Sequence, residues 1–241
     1  LESRIREMKG MKTFNFTDHI IICRYNSLGN ILKLIREIRR DRATAKTRIV
    51  LIDPDLDELP EELHEQGVHY IKGDPSREAV LNRANFPFAK SVIVPADEKD
   101  LENSDHHNLA IVLTVERMRP ESYTVVECVN PENEIFFRRA GCDSIVSLSS
   151  LTSQMMIQEL QDPGVHDIIS ELTSNTFGKQ IYVVEVKKNL PIYRKVRKKY
   201  IAEGALVIGI RRDGENHFVP PDDFPIEEGD HVICIGSHRP S

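Results

Sequence analysis

From His19 onward, short apolar runs alternate with segments whose apolar residues recur at helical spacing. HIIIC (19–23) precedes LGNILKLIREIRR (28–40), and RIVLI (48–52) precedes LDELPEELHEQG (56–67). HYIKG (69–73), SREAVLNRA (76–84), SVIVP (91–95), ENSDHHNLAIVLTVERM (102–118), YTVVECV (123–129), ENEIFFRRAG (132–141) and DSIVSL (143–148) continue the rhythm. Six strands separated by helices predict an α/β fold, because neighbouring parallel strands need crossover connections. The expected architecture is a Rossmann-like, doubly wound parallel sheet covered by helices.

The pattern changes after Ser149. Two helical segments follow directly, 151–161 and 164–173, broken by Asp162-Pro163-Gly164, where proline cannot continue the first helix. They predict a helix-turn-helix crossover with an apolar set, Met155, Met156, Ile157, Leu160, Ile168, Ile169 and Leu172, suited to burial against a partner. Beyond it the chain becomes β-rich: QIYVVEV (180–186), a hairpin about Asp213-Gly214 and HVICIG (231–236), with a basic segment 192–204 between the first two. This predicts a smaller α+β subdomain. The leading segment 1–16 is basic and weakly amphipathic, and reads as a helix end plus a linker.

A length of 241 residues accommodates two domains, and 40% apolar with 29% charged residues is a globular profile. The net charge of −6 argues against nucleic acid as a partner. No run approaches the roughly 18 apolar residues that a membrane-spanning helix needs. Cys23, Cys128, Cys142 and Cys234 are scattered, with no C-x-x-C pair and no zinc spacing. Buried, reduced thiols in a cytosolic setting are the expectation.

The first strand–helix turn is Cys23-Arg24-Tyr25-Asn26-Ser27-Leu28-Gly29. In doubly wound sheets this turn holds a pyrophosphate through G-x-G-x-x-G; here Arg24 and Asn26 stand at the first two glycine positions and only Gly29 remains. Asp53 closes the second strand, where an acid commonly accepts ribose hydroxyls, and Asp74 follows Gly73 after the third. Two readings stay open: Arg24, Asn26, Gly29, Asp53 and Asp74 form a nucleotide cleft, or they are caps and turn formers. No G-x-S-x-G elbow, P-loop or H-E-x-x-H is present, so catalysis is not the default.

After the fourth strand, Pro95 to His107 is rich in acids and imidazoles. Asp97 and Glu98, with Glu127 on the neighbouring strand, are candidates for a divalent-cation site. The stronger reading is that these acids complement the dipole of the following helix. The basic run 194–199 carries Ile192, Tyr193, Val196 and Tyr200 at helical spacing, which favours a solvated helix face over a polyanion site.

The order of these elements, together with DHIIIC (18–23), VLIDPD (50–55), GDPSREAVLNRA (73–84), SVIVPADE (91–98) and 125–149, resembles the RCK family, the regulators of potassium conductance. In the second half ALVIGIRRDGE (205–215) and VPPDDFPIEEGDHVICIG (219–236) resemble that family's C-terminal subdomain. The resemblance covers about residues 18–241.

It implies a pore-to-ring linker at 1–17, an N-terminal Rossmann-like subdomain at 18–148, a crossover at 149–173 whose residues 151–173 pair two copies, and a C-terminal subdomain at 174–241. It implies assembly into a ring, an octamer in channels, joined to a transmembrane potassium pore at the cytoplasmic face of the membrane. The function implied is ligand-sensing regulation of potassium transport, by a channel domain or by a subunit of a Trk-type uptake system, with no catalysis. A nucleotide-dependent oxidoreductase is the competing reading. The effectors implied are an adenine nucleotide (NAD, ADP or ATP) and Ca2+. Two departures stand out: the altered glycine turn, and Pro95 at the place of the acid that closes the fourth strand in calcium-gated relatives, leaving Glu127 as the shared acid.

Overall fold

The computed structural model describes residues 2–119, 121–186 and 190–240, and the chain divides into two compact units, 1–157 and 158–241. In the first unit six parallel strands follow the order β3-β2-β1-β4-β5-β6. These are β1 (His19–Cys23), β2 (Ile49–Asp53), β3 (Val68–Lys72), β4 (Ala89–Val94), β5 (Tyr123–Cys128) and β6 (Ser144–Ser147). β1 and β2 are buried at every position, which explains their unbroken apolar runs.

Helices α2 (Leu28–Arg40) and α3 (Glu61–Glu65) cover one face. Ile31, Ile35 and Leu63 pack there on Ile20, Ile22, Ile49, Leu51 and Tyr70. Helices α4 (Glu78–Arg83), α5 (Leu101–Met118) and α6 (Glu134–Arg139) cover the other, with Leu81, Ile111, Val112, Val115 and Phe137 against Ile21, Val50, Val92 and Val126. Right-handed crossovers dictate this split: connections running toward β3 fall on one side and those running toward β6 on the opposite side. The α2 face of β4–β6 is therefore left partly bare. Ile93, Val125 and Val146 line a groove of about 360 Å³ there.

One expectation from the sequence needs correction, and one gains detail. The helix predicted over 56–67 is helical only at α3, because Pro60 stands at its N-cap and the amides of Asp55 and Leu56 are captured by the Asp53 carboxylate. The leading segment begins as a helix, as expected, and it also packs on the sheet. Helix α1 (Glu2–Met8) ends in a buried Met8, and the residues after it run against the sheet edge, where Lys72 donates its backbone N–H to the Gly10 carbonyl and Phe14 donates to that of Arg83. Gly10 has φ +64°, and a Cβ there would fall 2.2 Å from the Lys72 nitrogen, so only glycine fits. Phe14 is buried in the core.

Helix α7 (Leu148–Gln161) spans the division between the units and has no buried residue. Its last turn belongs to the second unit with α8 (Val165–Thr173). Gly164 has φ +101°, and Glu159 accepts hydrogen bonds from the amides of Gly164 and His166, at 3.0 and 2.9 Å, which caps α8. Those two amides hold the Glu159 carboxylate below its usual range. Met156, Ile157, Leu160 and Ile168 are exposed; Met155, Ile169 and Leu172 are half-buried.

The second unit's sheet is antiparallel, in the order β7-β10-β8-β9, from β7 (Gln180–Glu185), β8 (Leu206–Arg212), β9 (Glu215–Phe218) and β10 (His231–Gly236). Helix α9 (Tyr193–Ala202) buries Tyr193, Val196 and Tyr200 against Val207, Ile210, Val232 and Cys234, and turns Arg194, Lys195, Arg197 and Lys198 to solvent. The Gly-Asp pair before β10 has a structural purpose: Asp230, 1% exposed, accepts from Arg212 Nε and Nη2 at 2.8 and 2.7 Å and from the Glu227 amide. The Arg212 hydrogen bond outweighs burial and holds the Asp230 carboxyl below its ordinary value.

Candidate functional site

The C-terminal ends of parallel strands are where an open α/β sheet binds ligands. Here that edge collects Arg24 and Asn26 after β1, Asp53 at the end of β2, Asp74 beyond β3, Asp97 and Glu98 after β4, and Glu127 on β5. Gly29, in the first turn of α2, has open space where a Cβ would stand.

Arg24 is the least expected of these residues. It has φ +100°, a conformation that the motif's first glycine adopts without strain and that an arginine reaches only at a cost. Its guanidinium pairs with the Asp97 carboxylate, Nη1 to Oδ2 at 2.8 Å, and both side chains are 13% exposed. The turn thus keeps the glycine backbone and adds a side chain bound to the β4–α5 loop.

The neighbouring groups are engaged in the same way. Asp53 is 3% exposed; Oδ2 accepts from the Tyr25 amide at 2.9 Å, and Oδ1 from Asp55 and Leu56 at 2.9 and 2.7 Å. Asn26 Oδ1 accepts from the Ser27 amide, and Ser27 Oγ caps α2 at the Asn30 amide. Asp74 accepts from the Ser76 amide and hydroxyl, and faces Arg77 at 3.6 Å. This arrangement differs from the glycine type of turn that holds a dinucleotide. Side chains of Arg24 and Asn26 stand where the motif leaves only hydrogens, and the acid meant for ribose already serves three backbone donors.

The candidate cation site does not assemble. Among the described residues no group of three or more His, Cys, Asp or Glu side chains is placed to hold a metal ion. Asp97 is taken by Arg24 and by the Lys99 amide, Glu127 Oε2 accepts from the Ala96 amide at 2.9 Å, and Glu98 Oε1 accepts from Asn30 Nδ2. Asp100 caps α5 at the Asn103 amide. The acidic string after β4 therefore builds a turn and a helix start, its more favoured reading.

Sequence reasoning missed the residues that hold this edge together. Asp105, 5% exposed, accepts from the Val129 and Asn130 amides and from Asn133 Nδ2, at 2.8–2.9 Å, and so fixes the β5–α6 loop. Asn108 Nδ2 donates to the carbonyls of Pro95 and Glu127, joining the ends of β4 and β5, and Ser104 Oγ accepts from the Asp97 amide. The signal was present: Ser104, Asp105 and Asn108 lie on the stripe that continues through Ile111, Val112 and Val115, so they are polar residues on a core-facing surface.

The cysteines are free thiols. Burial raises Cys23 and Cys128 to about 12, and Cys142 and Cys234 to about 11, so none is a thiolate at neutral pH.

Two family models match the chain in order, the TrkA-N domain over residues 20–148 and the TrkA-C domain over 181–239. The chain belongs to the TrkA-N/TrkA-C family, the RCK domains. This RCK chain is 27% identical over 234 residues to the putative potassium channel protein YugO of Bacillus subtilis, covering 95% of the chain and 69% of the relative. It is 24% identical to the calcium-gated potassium channel TvoK of Thermoplasma volcanium, with 97% and 66% covered. It is 27% identical to the probable potassium channel protein 2 of Methanocaldococcus jannaschii, with 98% and 68% covered. The human SLO3 gating ring superposes with a TM-score of 0.70 at 14% identity, over 91% of this chain and 44% of that one. The RCK chain thus spans about two thirds of these curated relatives, and shares the gating-ring fold.

Proposed function

We propose that this RCK chain is the ligand-sensing regulatory domain of a potassium channel, pairing through residues 151–173 in a ring that acts on a transmembrane pore at the cytoplasmic side. The supporting observation is the succession of a TrkA-N lobe, an exposed apolar two-helix connector and a TrkA-C lobe, in a chain similar along nearly its whole length to potassium channel proteins. Met156, Ile157, Leu160 and Ile168 are apolar groups whose exposure favours burial against a second copy. An effector contributes to gating only through its differential affinity for the two ring shapes, typically about 1–3 kcal/mol per site. The regulatory reading is preferred to the oxidoreductase one because the chain is similar along nearly its whole length to potassium channel proteins and its first strand–helix turn carries Arg24 and Asn26 in place of glycines.

The effector seat in this reading is the strand-end edge, where any charged ligand has first to part Arg24 from Asp97. An anion such as ADP, ATP or NAD competes for Arg24; a cation such as Ca2+, which gates the relative TvoK, competes for Asp97. Calorimetry on the chain and on Asp97→Asn separates them: the substitution strengthens anion binding by freeing Arg24 and abolishes cation binding. Light scattering tests the assembly, expecting dimers or larger rings that Met156→Glu with Leu160→Glu dissociates. A monomer at high concentration overturns the reading.

A further inference from the structure

The opposite edge of the parallel sheet carries a second cleft, of about 800 Å³, lined by Thr17, Asp18, Arg42, Ala43, Ala45, Lys46, Thr47 and Arg48. It lies where the chain enters β1 and β2, since Asp18 immediately precedes His19 and Arg48 precedes Ile49, whereas Arg24 and Asp53 mark the exit ends of the same strands. Arg42, Lys46 and Arg48 supply three positive charges against the one negative charge of Asp18, in a protein whose net charge is −6. None of the three makes a salt bridge among the described residues.

The loop that carries them is held from within. Arg39, in the last turn of α2, donates to the carbonyls of Ala45, Thr47 and Gln66; Thr44 Oγ donates to Ile38, and the Asp41 carboxylate accepts from the Ala43 amide. One arginine is thus used to shape a loop that presents two further cations and the hydroxyl of Thr47. Arg48 lies over the Phe16 ring, 4.5 Å from its centroid, which joins the cleft to the segment leading into β1.

We propose that this cleft binds a phosphate-bearing anion, gripped by Arg42, Lys46 and Arg48 with the hydroxyls of Thr17 and Thr47. Three cations facing the single carboxylate of Asp18 leave an excess of positive charge in the cleft, and an anion with several acceptor oxygens balances it while accepting from a guanidinium in bidentate fashion. The phosphate comes from a free solute or from a lipid headgroup at a membrane surface. The proposal is independent of the effector seat at the strand exits and of the potassium-channel reading.

The test uses the whole chain, Arg42→Gln/Lys46→Gln, and a control, Arg194→Gln/Lys195→Gln, that removes two cations from the exposed face of α9. All four residues are exposed, so each variant keeps its fold, checked by circular dichroism. One arm titrates inorganic phosphate and pyrophosphate by calorimetry; the other sediments the protein with vesicles of phosphatidylcholine, with and without phosphatidylglycerol. Binding in either arm that falls roughly tenfold in the cleft variant and is unchanged in the control supports the site, and the responding arm identifies the source. No binding in either arm, or an equal loss in both variants, overturns it.

Discussion

The two edges of the parallel sheet treat charge in opposite ways. At the strand exits nearly every charged group is answered from within: Arg24 by Asp97, Asp53 by three amides, Asp105 by two amides and an asparagine, Glu127 by the Ala96 amide. At the strand entries Arg42, Lys46 and Arg48 share one cleft without a salt bridge among the described residues. A site described from residue types alone would favour the exits, which are rich in acids, yet those acids mostly build the loops. The entries are poorer in motif and richer in unanswered charge.

The contrast can be broken most forcefully at Asp105. Asp105→Ala leaves two backbone amides and Asn133 without their acceptor in a part-buried site, and chemical denaturation should report a loss of about 2–3 kcal/mol. A loss under 1 kcal/mol would mean that the exit loops do not depend on this carboxylate.

Arg24 separates backbone strain from ion pairing. Arg24→Ala loses the Asp97 partner and keeps φ +100°, whereas Arg24→Gly loses the partner and relaxes the backbone, so the glycine variant should be more stable than the alanine variant by about 1 kcal/mol. Equal midpoints in urea would show that the turn is not strained.

Acid titration sharpens the entry side. Glu7 accepts from Lys12 Nζ and His69 Nδ1, both at 2.8 Å; burial works to raise its carboxyl, but Lys12 and His69 together hold it below its ordinary value. A carboxyl with a depressed folded value stabilises the protein above its unfolded value, and that contribution disappears as the pH falls through the folded value. Unfolding followed below pH 4.5 should therefore show a pH dependence that Glu7→Gln reduces; parallel curves would remove Glu7 as an anchor of the leading segment. The smallest effect is expected at the basic cleft, where Arg42→Gln/Lys46→Gln should change stability by no more than about 0.5 kcal/mol, as for exposed residues without a structural partner. A large loss there would mean that these cations serve the fold.

The helix α2, the strands β1 and β10 and the fold class were legible because their apolar positions follow one period without interruption. The site residues were legible as a set but not in their roles. Asp53, Asp74 and Asp97 stand where ligand-binding acids stand, and only the turns around them reveal that backbone donors or Arg24 occupy their oxygens. The packing of the leading segment was not legible because nothing local marks Met8 and Phe14 as core residues; their burial depends on β3 and on Arg83, about 60 to 70 residues away.

By itself the sequence determined the alternation of strands and helices, the two lobes and the connector between them, because periodicity and proline or glycine breaks act over a few residues. Tertiary structure alone decided which charges remain available. Whether a carboxylate or a guanidinium meets a partner depends on groups distant in sequence, 73 residues in the case of Arg24 and Asp97, brought together by the sheet.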